Sequence, residues 1–176
     1  MICTAFLGMS LDGFIAGPNN DLSWLDVLPP PSEGDMGFSA LMESIDALVM
    51  GRNTFEVVMG FDVPWPYTVP VIVMSKSITE LPREIPDLEL TSLEPAELIA
   101  ELEGRGLTKL YIDGGAVVTS FLQAGLLDEL IVTVVPTALG SGTSLFGELA
   151  EPQWFEHVSN EVFDNGMAQT VYRTKR

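Results

Sequence analysis

The chain is poor in basic residues, cysteine and histidine. Among its 176 residues, 8 are Lys or Arg and 25 are Asp or Glu, which gives a formal net charge of −17. Such a charge repels nucleic acid and anionic membrane surfaces, so neither is expected as a partner. Cys3 and His157 are the only residues of their types. One thiol and one imidazole form neither an internal disulfide nor a typical zinc site, so no metal is expected.

Long apolar runs are also missing. The chain has no stretch of about 18 apolar residues, and no basic residue precedes its apolar N-terminal segment. Neither a membrane span nor a secretory signal is therefore expected, and we predict a cytoplasmic protein. A hydrophobic content of 47% at this length predicts a single domain, residues 1–176, with a sizeable core.

The clearest local pattern lies in residues 107–135. Leu107–Ile112 predicts a buried strand, and the following apolar residues recur at helical spacing as far as Leu126. A second apolar run, Leu130–Val135, predicts the next strand. The pair Gly114–Gly115 separates the first strand from the helix. Because glycine lets backbone approach a ligand and a helix N-terminus attracts anions, the pair predicts either a phosphate site or only a tight turn.

Two further strand ends carry signals for anion binding. A strand that ends at Met50 is followed by Gly51–Thr54 and then by a helical pattern that begins at Phe55. Arg52, in that turn, is the first cation of the chain. The next apolar strand ends at Ser75–Lys76. Because parallel α/β sheets bind ligands beyond the carboxyl ends of their strands, both turns are candidate anion sites, although the second can equally be a solvated turn.

Two more candidates lie between the first two main strands. After the strand Met1–Met9, a loop from Asn19 to Pro31 carries Trp24, which we expect to fold over a binding site. A short helix is expected over 35–44. Asp35 lies at its start, where it can cap the helix.

The C-terminal part changes to strand-like alternation. Trp154–Phe163 and Met167–Thr174 alternate apolar and polar residues on either side of Asp164–Gly166, which predicts a β-hairpin. Taken with the strand and helix patterns before it, the hairpin completes a predicted α/β fold. Helices cover both faces of a mostly parallel central sheet, which gives three layers and ends in a C-terminal antiparallel hairpin.

Four segments resemble the dihydrofolate reductase superfamily, and in particular the branch that contains the reductase domain of riboflavin biosynthesis. In the family's order, they are Ser10–Ala16 (SLDGFIA), Val49–Glu56 (VMGRNTFE), Val71–Lys76 (VIVMSK) and Ile112–Gly115 (IDGG) continuing to Gly125–Glu129 (GLLDE). The resemblance covers nearly the whole chain and implies a dihydrofolate-reductase-like sandwich. By the same analogy, a homodimer is expected.

The resemblance also implies NADPH as cofactor. Hydride transfer would reduce a C=N or C=O group of a small pterin-like, pyrimidine-like or other heterocyclic or carbonyl substrate. Carried over by position, the resemblance implies that Gly51, Arg52, Asn53 and Thr54 bind the cofactor phosphates and that Ser75 and Lys76 lie near the 2′-phosphate. It also implies that Gly114, Gly115, Ala116 and Val117 bind the pyrophosphate and that Ala16 and Trp24 border the nicotinamide. By the same resemblance, Asp35 matches the acid on the first helix of folate reductases and would supply a proton, whereas its local sequence favours a helix cap; both possibilities are open.

The scarcity of cations bears on the substrate. Folate's glutamate tail and the phosphate of the riboflavin intermediate are anions, yet no Lys or Arg precedes Arg52 and none lies between Arg52 and Lys76. A small neutral heterocycle or carbonyl compound fits this charge distribution better. The alternative from another functional class is a dinucleotide-binding module without turnover, which would need no proton donor.

Overall fold

The computed structural model of the protein describes residues 1–175. The strands of this part are β1 Ile2–Ser10, β2 Phe14–Ala16, β3 Ala47–Gly51, β4 Val71–Met74, β5 Leu88–Thr91, β6 Lys109–Asp113, β7 Glu129–Val135, β8 Thr143–Ser144, β9 Phe155–Val162 and β10 Ala168–Thr174. The α-helices are α1 Phe38–Ser44, α2 Arg52–Met59, α3 Pro95–Gly104 and α4 Gly115–Gln123. None of these helices is long and apolar enough to cross a bilayer.

Eight strands form the central sheet, in the order β5-β4-β3-β6-β1-β7-β10-β9. The strands from β5 to β7 are parallel, whereas β10 pairs antiparallel with both β7 and β9. The short strands β2 and β8 form a separate antiparallel pair. The prediction of a mostly parallel sheet with a C-terminal antiparallel hairpin is confirmed.

Helices cover both faces of the sheet. On β6, Leu110 and Ile112 point into a core that includes residues of α3 and α4, whereas Tyr111 points into a second core with Phe55 of α2. This follows from the pleat of a strand, which sends successive side chains to opposite faces. Because β6 is buried on both sides, its sequence is apolar without alternation. The predicted three-layer arrangement is confirmed.

Two helices begin at residues other than those expected. Met36 and Gly37 have left-handed backbone angles, with φ of 60° and 87°, so α1 starts only at Phe38 and not at Asp35. Helix α2 follows β3 without a connecting turn and starts at Arg52 instead of Phe55. The segment 52–54 is therefore the first turn of a helix, and its backbone N–H groups lie at the helix N-terminus.

Candidate active site

A cleft of about 560 Å³ opens at the carboxyl ends of the parallel strands. It extends from the ends of β5 and β4, past β3 and β6, to β1. Its lining includes Gly51–Thr54, Ser75–Lys76 and Gly114–Val117, which we call the three edge turns. The structure thus brings together, in one cleft, the three segments that the sequence marks as anion-binding candidates.

The Gly114–Gly115 turn needs glycine for packing reasons. Gly114 has φ of +89°, and a Cβ on it would collide with the hydroxyl of Thr54. A Cβ on Gly115 would lie 2.6 Å from the carbonyl oxygen of Ser144. Close packing alone therefore accounts for both glycines. Anion binding at this turn has to be argued from the helix that follows it.

Helices α2 and α4 both begin on the cleft. Neither has a side chain that caps its first turn, so the backbone N–H groups there and the positive end of each helix dipole are available to a ligand. Helix α3 differs, because Glu94 and Glu97 form a capping box at its N-terminus. Two uncapped helix ends on one cleft are an arrangement suited to phosphate groups.

Arg52 supplies a side-chain cation next to these helix ends. Its Nη1 donates to the hydroxyl of Ser77 at 3.2 Å, and its Nε lies 3.7 Å from Glu56 Oε1. The side chain remains half-exposed at the cleft. Ser75 is on the same rim, where its hydroxyl accepts hydrogen bonds from the backbone N–H groups of Ser77 and Ile78. Because Ser77 and Glu56 are exposed to solvent, the guanidinium can turn to an anionic ligand without leaving a buried polar group unpaired.

Lys76 forms a close ion pair with Glu94, and both residues line the cleft. The hydrogen bond from Lys76 to Glu94 raises the pKa of the ammonium group. A 2′-phosphate bound by Lys76 would therefore compete with the Glu94 carboxylate. The sequence does not suggest this competition, because the two residues come from different strand ends.

Asp113, the last residue of β6, was missed by the sequence analysis as a functional candidate. Asp113 is partly buried, its carboxyl lines the cleft, and desolvation raises its pKa to about 6, although a hydrogen bond from Gly114 N–H acts in the opposite direction. The nearby Tyr111 hydroxyl donates its one proton to the carbonyl oxygen of Phe6 at 2.8 Å, so its stabilisation of the carboxylate is secondary. A partly buried carboxyl in a cleft with a pKa near neutrality is typical of acid–base chemistry.

The two residues expected near a nicotinamide lie in different places. Ala16, at the end of β2, is buried and lines the cleft. Trp24 is buried in a separate cluster with Val135 and Met167, and the cleft is lined instead by Leu22 and Leu25 from the same segment. The expectation that this segment folds over the cleft fits the structure. A direct contact between Trp24 and a ligand in the cleft does not fit the structure, because Trp24 is not among the residues that line the cleft.

Asp35 has the contacts of a helix cap. Its carboxylate accepts hydrogen bonds from the backbone N–H of Ser39 at 2.8 Å, from the Ser39 hydroxyl and from the N–H of Gly37. It is exposed, it does not line the cleft, and the Ser39 hydroxyl holds its pKa below the ordinary value. The hypothesis that Asp35 supplies a proton is therefore corrected, because a proton donor needs a raised pKa and access to the substrate.

The fold and the cleft define the class of the protein as a dihydrofolate-reductase-like α/β domain. The family model of the RibD C-terminal domain matches residues 2–169. The chain therefore belongs to the RibD C-terminal domain family. The suspected resemblance to the riboflavin branch is confirmed.

Individual relatives agree with this assignment. A Bacillus subtilis protein, YwjB, which is itself uncharacterised, is 33% identical over 147 residues, and the match covers 82% of each chain. A solved structure of a Shewanella sp. PV-4 protein, provisionally assigned to riboflavin biosynthesis, has a TM-score of 0.95 at 43% identity and covers 100% of both chains. A Thermotoga maritima deaminase/5-amino-6-(5-phosphoribosylamino)uracil reductase shares the fold, with a TM-score of 0.70 at 18% identity over 99% of this chain and 56% of that one.

Proposed function

We propose that this chain is an NADPH-dependent reductase that acts on a C=N or C=O group of a small ring compound. The observation that carries the proposal is the composition of the cleft, with the three edge turns along the strand ends and the carboxyl of Asp113 within the same cavity. The first feature suits an anionic dinucleotide, and the second suits proton transfer. Membership in a family that contains reductase domains supports the combination.

The residues of the cleft fit a dinucleotide by their chemistry. The N-termini of α2 and α4 and the guanidinium of Arg52 can bind phosphate oxygens, and Ala16 offers an apolar surface beside the glycine turn. When bound, a reduced nicotinamide supplies the hydride. The protein contributes orientation, exclusion of water and a proton.

Asp113 is the proposed source of that proton. Reduction of C=N or C=O places a hydride on carbon, and a proton must then reach the nitrogen or oxygen. A pKa of about 6 keeps part of the Asp113 carboxyl protonated near neutral pH and lets solvent protonate it again after each turnover. Asp113 thus takes the role that the sequence analysis considered for Asp35.

A titration of NADPH fluorescence tests the cofactor assignment. Arg52→Ala is expected to weaken NADPH binding by about 1.5–3 kcal/mol, roughly 10- to 150-fold, because a charge-assisted hydrogen bond to phosphate is lost. Arg83→Ala is the matched control, since Arg83 is exposed and lies outside the cleft. Equal affinities for both variants and the wild type would rule out phosphate binding at this edge turn. Dinucleotide binding without oxidation by any ring compound would favour a binding module.

A homodimer through the C-terminal hairpin is also proposed. Val158 and Val162 on β9 are 44% and 70% exposed, and Trp154, just before β9, is 73% exposed. Exposed apolar groups of this kind mark contact surfaces. Sedimentation should show a dimer that the double change Val158→Glu and Val162→Glu converts to monomer. A monomeric wild-type protein would refute the proposal.

A further inference from the structure

The part of the cleft beyond the edge turns is apolar. It lies on the face of the sheet covered by α1 and α2, where Phe6, Tyr67 and Tyr111 belong to one packed group. Leu25 reaches the same face, because a Cβ on Gly8 of β1 would lie 2.9 Å from its Cδ2 atom. We call this region the apolar chamber; its lining is Phe6, Leu22, Leu25, Phe61, Tyr67 and Asp113.

The charges of the cleft are unevenly distributed between these two parts. Its only basic lining residues, among those that the structure describes, are Arg52 and Lys76, and both belong to the edge turns. Lys76 is already paired with Glu94. The apolar chamber contributes one carboxyl, that of Asp113, and no cation. Desolvation also raises the pKa of Tyr67, so its hydroxyl stays neutral and offers a proton for hydrogen bonding.

An anionic substituent would meet unfavourable physics in the apolar chamber. A phosphate dianion would lose hydration without gaining a charged partner, and it would lie in the same low-dielectric cavity as a carboxyl. The net charge of −17 adds to this repulsion. A flat uncharged ring instead gains contact with Phe6, Phe61 and Tyr67, and its N–H groups can donate to Asp113.

On the basis of the proposed reductase function, we infer that the substrate of this chain is an uncharged or cationic ring compound that carries no phosphate and no carboxylate tail. The Thermotoga maritima protein is named as a reductase of a phosphoribosyl compound. At 18% identity the two proteins share their fold, and the inferred substrate class separates them. In this chain, the preference is assigned to the apolar chamber and not to the dinucleotide end.

Matched ligand pairs that differ mainly in an anionic tail test the inference by calorimetry. Suitable probes are uridine with uridine 5′-monophosphate and pterin with folate, titrated in excess NADP⁺ whose own binding is measured first. We expect one of the uncharged compounds to bind at least tenfold more tightly than its anionic partner, and the difference to shrink between about 0.05 M and about 0.5 M salt. If NADP⁺ does not bind, the proposed cofactor is refuted, and the same pairs are titrated against the protein alone.

A pair of arginine substitutions supplies the internal control. Phe61 is 43% exposed and lines the apolar chamber, whereas Val63 is 60% exposed and does not line the cleft. Phe61→Arg should reduce the discrimination against the anionic ligands at least threefold, and Val63→Arg should leave it unchanged. The inference is overturned if the wild type binds the anionic partners as tightly as the uncharged ones. It is also overturned if none of these rings binds in either form.

Discussion

Replacement of Asp113 by asparagine tests the desolvated cleft carboxyl through folding stability as well as through turnover. The substitution removes the charge and the acid but keeps a carbonyl oxygen that can accept the hydrogen bond from Gly114 N–H. A residue whose ionised form is disfavoured by burial lowers the stability of the folded state. Its neutral replacement should therefore give a more stable protein that has lost its proton donor.

The size of this effect follows from the pKa of Asp113. Its ordinary value is 3.8, and burial raises it to about 6. Because the folded protein binds this proton more tightly than the unfolded chain does, wild-type stability falls as the pH rises from about 3.8 to about 6. Above that window the full cost is about 3 kcal/mol, at about 1.36 kcal/mol for each pKa unit. Asp113→Asn should exceed the wild type by up to about 3 kcal/mol near pH 8 and should match it near pH 4.

Urea unfolding near pH 4 and pH 8 measures the difference in stability between Asp113→Asn and the wild type. Asp46→Asn is the control, because its expected change in stability has the opposite sign. Asp46 is exposed, and hydrogen bonds from Thr108 N–H at 2.6 Å and Lys109 N–H at 2.9 Å hold its pKa below the ordinary value. Its stabilising contribution is present above its unfolded-state pKa and is lost as the pH falls through its folded-state pKa. Asp46→Asn should therefore be less stable than the wild type near pH 8, and the deficit should shrink in acid. An Asp113→Asn variant that is destabilised near pH 8, or that retains full turnover, would refute the reasoning.

Three other predictions concern cofactor binding and Asp35. Ala116→Asp should weaken NADPH binding at least tenfold, because it places a carboxylate at the exposed second position of α4. Ala96→Asp is the control, because Ala96 has the matching position in α3 and lies outside the cleft, and it should change NADPH binding little in the same fluorescence titration. Lys76→Ala should remove a preference for NADPH over NADH, and Glu94→Gln should increase that preference by removing the competing carboxylate. An identical ratio of the NADH and NADPH dissociation constants in both variants would contradict this prediction. Asp35→Asn should retain turnover from acid to alkaline pH and leave the midpoint of urea unfolding nearly unchanged, because Asn caps helices nearly as well. A selective loss of turnover in a steady-state assay would restore the discarded role of Asp35 as proton donor.

Much of the fold can be predicted from the sequence because its signals are local. The strands β3, β6 and β7 are rich in apolar residues, and an Asn–Gly dipeptide separates the two strands of the C-terminal hairpin. The strand β8 has no signal in the sequence, because two residues carry no periodicity and Thr143–Ser144 becomes a strand only by pairing with β2. The sequence predicts the start of α1 at Asp35, because the signal of a capping residue is the same whether the helix begins directly after it or after a left-handed turn.

Asp113 was missed as a candidate for a different reason. Its position directly after a buried strand and before a glycine pair was visible, and a carboxyl at the end of a parallel strand is a signal that could have been used. Its raised pKa was not visible, because the burial that causes it arises from surroundings such as Tyr67, which are distant in the chain. Asp35 showed the reverse pattern. The resemblance to folate reductases suggests an acid near the substrate at Asp35, whereas tertiary structure places this residue outside the cleft.

The glycine turn shows how packing and ligand binding can require the same residue. Asp12 accepts hydrogen bonds from the N–H groups of Leu139 and Gly140 at 3.0 and 2.7 Å, and these contacts hold the loop that leads to β8 against the end of β1. That loop brings the Ser144 carbonyl oxygen close to Gly115, so any side chain at Gly115 would displace it. A glycine substitution there would perturb the loop whether or not a phosphate binds. The exposed Ala116, one residue further into α4, changes the charge at the helix N-terminus without that clash, and it is the position at which anion binding and turn packing can be separated experimentally.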